Sequence, residues 1–239
     1  MQWTYSTDSA IKNTPAYADQ HLFVATVTGQ ILALTSAGDL LWSYQLNNPS
    51  QRWLYSSPLA YAGRLYAGVS SQLVALDLAS GECIWQRDDL GPNDWISSSP
   101  SPAAHGDYLA VAFYTQPTGL TVLDANNGTT FWQQDGDKAQ YIYATPVIGP
   151  DGTLYAISGS AVRAYGLENG KLLWQSPLSL QRVQSTPVLN DGLLFVATGT
   201  GTLHAFDAND GAEIWRWSVE SQAPLFTPYI RRGPTTLGA

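Results

Sequence analysis

The chain has 239 residues, of which 44% are hydrophobic and 12% aromatic, so it can bury a large core and is not a disordered chain. Its 11 Lys and Arg against 19 Asp and Glu give a net charge of −8, and the basic residues are scattered, which argues against nucleic acid or anionic lipid as a ligand. No apolar run approaches the about 20 residues that span a bilayer, and the single cysteine, Cys83, excludes an internal disulfide and a thiolate metal cluster.

Two sequence markers recur along the chain at nearly constant spacing. Six tryptophans stand 39 to 47 residues apart, namely Trp3, Trp42, Trp85, Trp132, Trp174 and Trp215. Six prolines that each follow Ser or Thr stand 41 to 46 residues apart, namely Pro15, Pro58, Pro100, Pro146, Pro187 and Pro228. A repeat of about 42 residues is the size of a four-stranded propeller blade.

Each repeat predicts four β-strands. A short apolar segment follows the proline, and a turn such as PDGT (150–153) or NDGL (190–193) leads into a second, alternating strand. A third strand such as TLHAFDA (202–208) is followed by an Asn-, Asp- and Gly-containing turn, because these residues tolerate positive φ, and then by the strand that carries the tryptophan. No stretch of ten or more residues shows a helical period, so the class is all-β.

In chain order the sequence predicts five complete blades, with a partial blade at each end. The complete blades lie near residues 14–46, 57–88, 99–135, 145–176 and 186–218. Residues 2–7 are interpreted as the outer strand of a preceding blade, residues 225–232 as the inner strand of a following one, and residues 233–239 as a tail or linker. We therefore expect residues 1–239 to be one propeller domain, or a segment of a larger propeller that would have eight blades in all.

The stretch ALDLASGECIW (75–85) recurs as VLDANNGTTFW (122–132) and AFDANDGAEIW (205–215). Two other copies carry Thr35 and Gly166 where Asp is expected, which a site that needs the carboxylate could not tolerate and a packing motif can. A Trp buries on the order of 200 Å², as packing between sheets requires. We therefore predict a structural docking role between blades for Trp42, Trp85, Trp132, Trp174 and Trp215.

The spacing Ala-x-Asp-x-x-(Thr/Ser)-Gly-x-x-x-Trp resembles the tryptophan-docking motif of the pyrroloquinoline quinone-type β-propeller repeats, and the resemblance covers essentially the whole chain. That quinoprotein-like family includes the quinoprotein dehydrogenases and the propeller lipoprotein of the bacterial outer-membrane assembly machinery, which the chain resembles more. The resemblance implies a bacterial repeat protein in the periplasm or outside the cell. The first ten residues, MQWTYSTDSA, lack the basic and apolar segments of a signal peptide, so we expect a soluble chain that does not insert directly into a membrane.

For a quinoprotein dehydrogenase, the resemblance would imply a calcium-binding Glu and Asn, a catalytic Asp and often a disulfide between adjacent cysteines. Cys83 alone cannot form that disulfide, and Glu82, Glu168 and Glu213 lie in or beside turns. The stretch DANDG (207–211) lacks the spacing of a calcium loop. We therefore expect neither pyrroloquinoline quinone nor calcium, and no catalytic, cofactor-binding or metal-binding residue.

The loops that lead into the first strands of the blades converge at one end of a propeller. Counting back five and three residues from the marker prolines places aromatic residues there in three consecutive blades, with charged residues beside them: Arg52, Trp53, Tyr55, Asp94, Trp95, Tyr141, Tyr143 and Arg182. These rings could plug the channel and pad neighbouring loops, or they could form a mouth that stacks sugars or grips peptides.

The sequence thus favours a non-catalytic binding or scaffold module that recognises a protein, peptide or glycan at this aromatic mouth. The alternatives are a fragment of a quinoprotein-type dehydrogenase or other propeller enzyme, and the propeller module of a multidomain enzyme such as a phosphoesterase or kinase fusion. An enzyme needs converging titratable groups, whereas a binding module needs only the aromatic surface.

Overall fold

A computed structural model describes residues 3–46, 56–69, 72–90, 101–112, 118–135, 144–158, 161–178, 183 and 185–218. All regular structure in these ranges is β, in agreement with the all-β prediction. The strands are, in chain order, β1 Ala16–Ala18, β2 His21–Ala25, β3 Gln30–Thr35, β4 Leu40–Gln45, β5 Leu59–Tyr61, β6 Arg64–Val69, β7 Gln72–Asp77, β8 Cys83–Arg87, β9 Ala103–His105, β10 Tyr108–Ala112, β11 Thr118–Asp124, β12 Thr130–Asp135, β13 Val147–Ile148, β14 Thr153–Ser158, β15 Ala161–Gly166, β16 Leu172–Pro177, β17 Val188–Asn190, β18 Leu193–Ala197, β19 Thr202–Asp207 and β20 Glu213–Ser218.

The strands form five antiparallel sheets of four strands each, in which every strand pairs with its neighbours in sequence. We number them sheet 1 (β1–β4) to sheet 5 (β17–β20). This is the predicted propeller architecture. Within the described ranges there is no helix long and apolar enough to cross a bilayer.

Sheets 2, 3 and 4 bury both of their faces against neighbouring sheets, because alternate side chains of a strand point to opposite sides. Leu65 of β6 packs with Phe23 and Ile31 of sheet 1, whereas the next residue, Tyr66, packs with Leu109 of sheet 3. Two further clusters join sheets 3 and 4, and sheets 4 and 5. The core is therefore a series of sheet-to-sheet layers.

The two ends of the ring differ. The turns between first and second strands and between third and fourth strands lie together at one end, the turn end, where Leu78 N donates to Gly63 O at 3.0 Å and Ala125 N to Asp107 O at 2.8 Å. The connections into the first strands and the turns between second and third strands lie at the other end, the loop end. Antiparallel pairing in every sheet requires this separation.

The first strand of sheet 3 begins after Pro102, not after Pro100 as the sequence spacing predicted. Leu59 and Val147 begin β5 and β13 directly after Pro58 and Pro146, and Ala103 begins β9 directly after Pro102. The sequence SSSPSP contains two Ser-Pro pairs, and the spacing alone could not choose between them.

Candidate functional site

The motif tryptophans of sheets 1 to 4 contact the following sheet, and three of them also contact an aromatic ring of their own sheet, as Trp85 does Tyr66 at 6.0 Å. Trp85 of sheet 2 donates from Nε1 to Ala125 O of sheet 3 at 3.0 Å, and its ring covers Gly128. The same contact joins three other motif tryptophans to the next sheet, with Nε1 to carbonyl distances of 3.2 Å for Trp42 to Leu78, 2.7 Å for Trp132 to Leu167 and 3.0 Å for Trp174 to Ala208. The Gly and the Trp of one repeat therefore belong to two different interfaces.

The glycine meets two requirements at once. Gly128 has a φ of +76°, which favours glycine, and a Cβ added there would lie 2.8 Å from the Trp85 ring. At Gly81 the same added atom would lie 2.5 Å from the Trp42 ring. The glycine thus closes the turn and lets the indole approach the backbone.

The motif Asp holds the turn in shape. Asp77 Oδ1 accepts hydrogen bonds from Ser80 N at 2.8 Å, Ser80 Oγ at 2.9 Å and Ala79 N at 3.1 Å. These hydrogen bonds, above all those from Ser80, lower the pKa of the Asp77 carboxyl below its ordinary value. In the copy with Thr35, the turn is one residue shorter, since Gly38 N donates to Thr35 O whereas Gly81 N donates to Asp77 O four residues back. A hydroxyl can replace the carboxylate in that shorter turn.

A β-bulge precedes every motif tryptophan. In sheet 2, Ala75 pairs with Trp85 and Leu76 pairs with Cys83, so Ile84 is the extra residue. The other four sheets have the same register shift, with Leu41, Phe131, Leu173 and Ile214 as the extra residues. A bulge bends and twists its strand, which re-aims the tryptophan that follows.

Two buried tyrosines share the carbonyls that the tryptophans use. Tyr66 OH donates to Ala125 O at 3.0 Å, and Tyr155 OH donates to Ala208 O at 3.1 Å. Burial raises the pKa of both phenols above their ordinary value. Neither tyrosine belongs to the motif that the sequence repeats, although the two occupy the same position in their repeats.

These tyrosines predict a loss of stability in alkali. Because the pKa of each phenol is higher in the folded state than the about 10 expected in the unfolded state, the contribution is complete below pH about 10 and is lost as pH rises through the folded value. Urea unfolding at pH about 8 and about 11 measures how far the free energy of unfolding falls between the two, and this fall should be smaller for Y66F/Y155F than for the parent chain. An equal fall in the free energy of unfolding for both proteins would mean that each phenol has the same pKa in the folded and unfolded states. Tyr165, whose pKa burial also raises, remains in both proteins.

At the N-terminus, residues 3–7 are not paired as a strand with any described residue, and their assignment to the outer strand of a preceding blade stays a prediction. The described part of the chain offers them no neighbouring strand of a preceding blade. Trp3 nevertheless makes the same contacts as Trp42 and Trp85: its Nε1 donates to Ser36 O at 2.9 Å, and its ring covers Gly38.

Trp215 differs from the other predicted docking tryptophans. It is 39% exposed, against 9% for Trp85 and Trp174. Its ring lies 5.9 Å from Phe195 of its own sheet, as Trp85 lies 6.0 Å from Tyr66, but among the described residues it has no contact with a following sheet. Val188 and Trp217, on the same face of sheet 5, are 59% and 61% exposed. The described residues therefore place no further sheet on this face.

Hydroxyl groups link the first strands of neighbouring sheets at the loop end. Thr14 N donates to Ser57 Oγ at 3.0 Å, Ser57 N to Ser101 Oγ at 2.9 Å and Ser101 N to Thr145 Oγ1 at 2.9 Å. Each acceptor directly precedes the proline before a first strand, namely Pro58, Pro102 or Pro146. The proline marker thus has a physical role that spacing alone did not indicate.

The eight predicted mouth residues, Arg52, Trp53, Tyr55, Asp94, Trp95, Tyr141, Tyr143 and Arg182, lie outside the described residues, as do residues 225–232 and the tail. The correction from Pro100 to Pro102 changes their alignment. Trp53 and Tyr141 each stand five residues before their proline, but Trp95 stands seven residues before Pro102. Two blades, rather than three, therefore carry an aromatic residue at this position.

The remaining candidates for chemistry among the described residues are a histidine, a glutamate and the cysteine. His204 is buried, and its Nδ1 lies 2.7 Å from Glu213 Oε1. Glu213, which the sequence places beside a turn, is the first residue of β20 and is exposed. Cys83 is exposed. The described residues contain no group of three or more His, Cys, Asp or Glu side chains that could hold a metal ion, and the absence of calcium and quinone stays a prediction.

Comparison with known proteins gives a consistent result. The family described as outer membrane protein assembly factor BamB matches residues 1–162 and 158–235. The outer membrane protein assembly factor BamB of Burkholderia pseudomallei is 25% identical over 243 residues, which cover 95% of this chain and 61% of that protein. The chain thus spans about three fifths of this relative's length.

Solved structures share the fold. The crystal structure of BamB from Moraxella catarrhalis superposes with a TM-score of 0.74 at 20% identity, over 91% of this chain and 67% of that one. A europium-containing methanol dehydrogenase superposes with a TM-score of 0.79 at 13% identity, over 91% of this chain and 53% of that one.

Proposed function

Because the chain belongs to the family of outer membrane protein assembly factor BamB, we propose that it is a non-catalytic propeller scaffold that binds a protein in the periplasm during outer-membrane protein assembly. The observation that carries the proposal is the family match, which extends over all five described sheets. A dehydrogenase shares the fold, but a fold alone does not determine an activity.

We propose that the surface that binds the partner protein lies at the loop end. The hydrogen bonds from Ser57 to Ser101 and from Ser101 to Thr145 hold the starts of three neighbouring first strands side by side. Tyr55 and Tyr143 precede two of these hydroxyl residues by two positions in the sequence, and Trp53 and Tyr141 by four. The loops that carry these aromatic residues lead into sheets 2 and 4, on either side of sheet 3, and we propose that they form a protein-binding mouth.

The charged candidates of the mouth stand next to the aromatic ones in sequence. Arg52 adjoins Trp53, Asp94 adjoins Trp95, and Arg182 stands five residues before Pro187. Aromatic anchors with Arg nearby are the residue types that carry most of the energy in protein interfaces. We propose that these loops bind a peptide segment of the assembly machinery.

The test measures binding to the purified outer-membrane assembly machinery of the same bacterium, reconstituted without its own propeller component. W53A/Y141A should lose binding, because each aromatic anchor commonly contributes about 2 kcal/mol or more. W95A is tested separately, because Trp95 stands seven residues before its proline and not five. Its affinity shows whether Trp95 contributes to binding. W217A, an exposed tryptophan on sheet 5, is the matched control and should bind like the parent chain.

Stability decides between the mouth and the plug interpretations. If W53A/Y141A binds normally but unfolds far more easily, the rings fill the channel and the proposal is wrong. If the loop end binds peptidoglycan fragments and does not bind the assembly machinery, the proposal that its ligand is a protein is wrong.

A further inference from the structure

The five bulge residues form a repeated and unexplained surface feature. Each is apolar, and each is 44% to 54% exposed: Leu41, Ile84, Phe131, Leu173 and Ile214. The bulge itself requires an extra residue but no particular side chain, and a polar residue would be easier to keep in water at this exposure. Phe131 contacts Tyr108 at a ring distance of 4.9 Å, so one of the five has an aromatic neighbour within its own sheet.

These residues lie near the turn end. Each follows the turn between the third and fourth strands by at most two strand residues: β8 begins at Cys83, immediately before Ile84, and β20 begins at Glu213, immediately before Ile214. The apolar side chains therefore follow the outer rim of the turn end, opposite the proposed mouth.

The turns beside this rim are strongly acidic. Every sheet presents at least one exposed carboxylate there, namely Asp39, Glu82, Asp107, Glu168 and Asp210. Sheets 1, 4 and 5 each add a second, Asp19, Asp151 and Asp191. Among the described residues of these turns, Lys171 is the one Lys or Arg. A surface of one sign attracts a partner of the opposite sign and orients its approach.

We propose that the turn end is a second docking surface, and that its partner is a protein segment in which Lys or Arg residues alternate with apolar residues. The bulge side chains provide the apolar contacts, and the turn carboxylates determine the sign of the partner's charge. Proteins use β-bulges to keep the edge strands of their sheets from pairing with other chains. We therefore assign this contact to the side chains of the bulge residues and not to the strand backbone. This surface is independent of the mouth, and the protein would then bridge two partners.

The probe is a fluorescent fourteen-residue peptide of alternating Lys and Leu, with a Lys–Ser and a Glu–Leu peptide of the same length for comparison. Fluorescence anisotropy with the full chain should show binding of the Lys–Leu peptide that weakens as salt rises. The Glu–Leu peptide should not bind, and the Lys–Ser peptide should bind at least about tenfold more weakly than the Lys–Leu peptide.

Two variants separate the contributions of the surface. I84S/L173S/I214S removes apolar contacts, and D107N/E168Q/D191N removes charge, and each should weaken Lys–Leu binding about tenfold or more. The control V188S/D8N changes an exposed apolar residue and an acidic residue outside the turn end, and it should bind like the parent chain. Circular dichroism should show that all three fold.

Three outcomes would overturn the proposal: equal affinity of the control and both variants, equal binding of the Lys–Leu and Lys–Ser peptides, or a parent Kd weaker than about 1 mM at low salt. Because W53A/Y141A leaves the turn end intact, failure here and failure of the mouth proposal are distinguishable.

Discussion

Replacement of Trp85 or Trp174 by Ala is expected to lower the free energy of unfolding by about 3 to 5 kcal/mol, the range measured for large aromatic residues cut back to Ala in a core. Both side chains are 9% exposed, and both lose a hydrogen bond to a carbonyl of the next sheet. The carbonyl keeps a tyrosine donor in each case, so the main loss is of packing rather than of polar satisfaction. Urea unfolding of each variant measures the effect.

Trp215 supplies a matched control for this experiment. It occupies the same motif position, follows the same type of bulge and has the same kind of aromatic neighbour in its own sheet, but it is 39% exposed and contacts no following sheet among the described residues. W215A should therefore cost well under half as much as W85A, on the order of 1 kcal/mol. Equal losses at Trp85 and Trp215 would show that the motif tryptophan acts within its own sheet, and the docking interpretation would fail.

The fold could be predicted because it repeats. The tryptophan spacing, the turn residues and the alternation of apolar residues all indicate the same four-stranded unit, and the described residues form five such sheets. The phase of one repeat could not be predicted, since Ser99–Pro100 and Ser101–Pro102 fit the local pattern equally well. The pairing of β9 with β10 determines that phase, and pairing is a non-local interaction.

The roles of side chains were harder to predict than the fold, for a physical reason. Trp85 contacts Gly128 of the next repeat and not Gly81 of its own, so the motif within one repeat does not show which residues touch. Likewise Tyr66 and Ser57 act across interfaces, and their sequence neighbours do not indicate this. The bulge that exposes Ile84 is visible only in the strand register. The mouth residues stay a prediction, because they lie outside the described residues.

The contact across the interface makes a further prediction that is specific to its geometry. Gly128→Ala should destabilise through two effects: an L-residue at positive φ costs about 1 to 2 kcal/mol, and crowding in a packed core about 1 to 3 kcal/mol more. The added Cβ would lie 2.8 Å from the Trp85 ring, so the second effect depends on that ring. Gly63→Ala is the matched control, since its φ of +73° is nearly that of Gly128 and its added Cβ meets nothing within 4 Å.

A double-mutant cycle then isolates the contact between the two sheets. In the W85A background the ring is absent, so Gly128→Ala should cost only the backbone part, about 1 to 2 kcal/mol, as Gly63→Ala does in the parent chain. The difference between the two backgrounds is the coupling energy, and we expect about 1 to 3 kcal/mol. Purely additive losses would mean that the ring moves away from Gly128 at no cost. The glycine would then be required only for its φ, and the fixed Gly–Trp spacing would need an explanation within a single repeat. A coupling of the expected size would instead show that the spacing is set by the next sheet, because each repeat must both supply a ring and accept one.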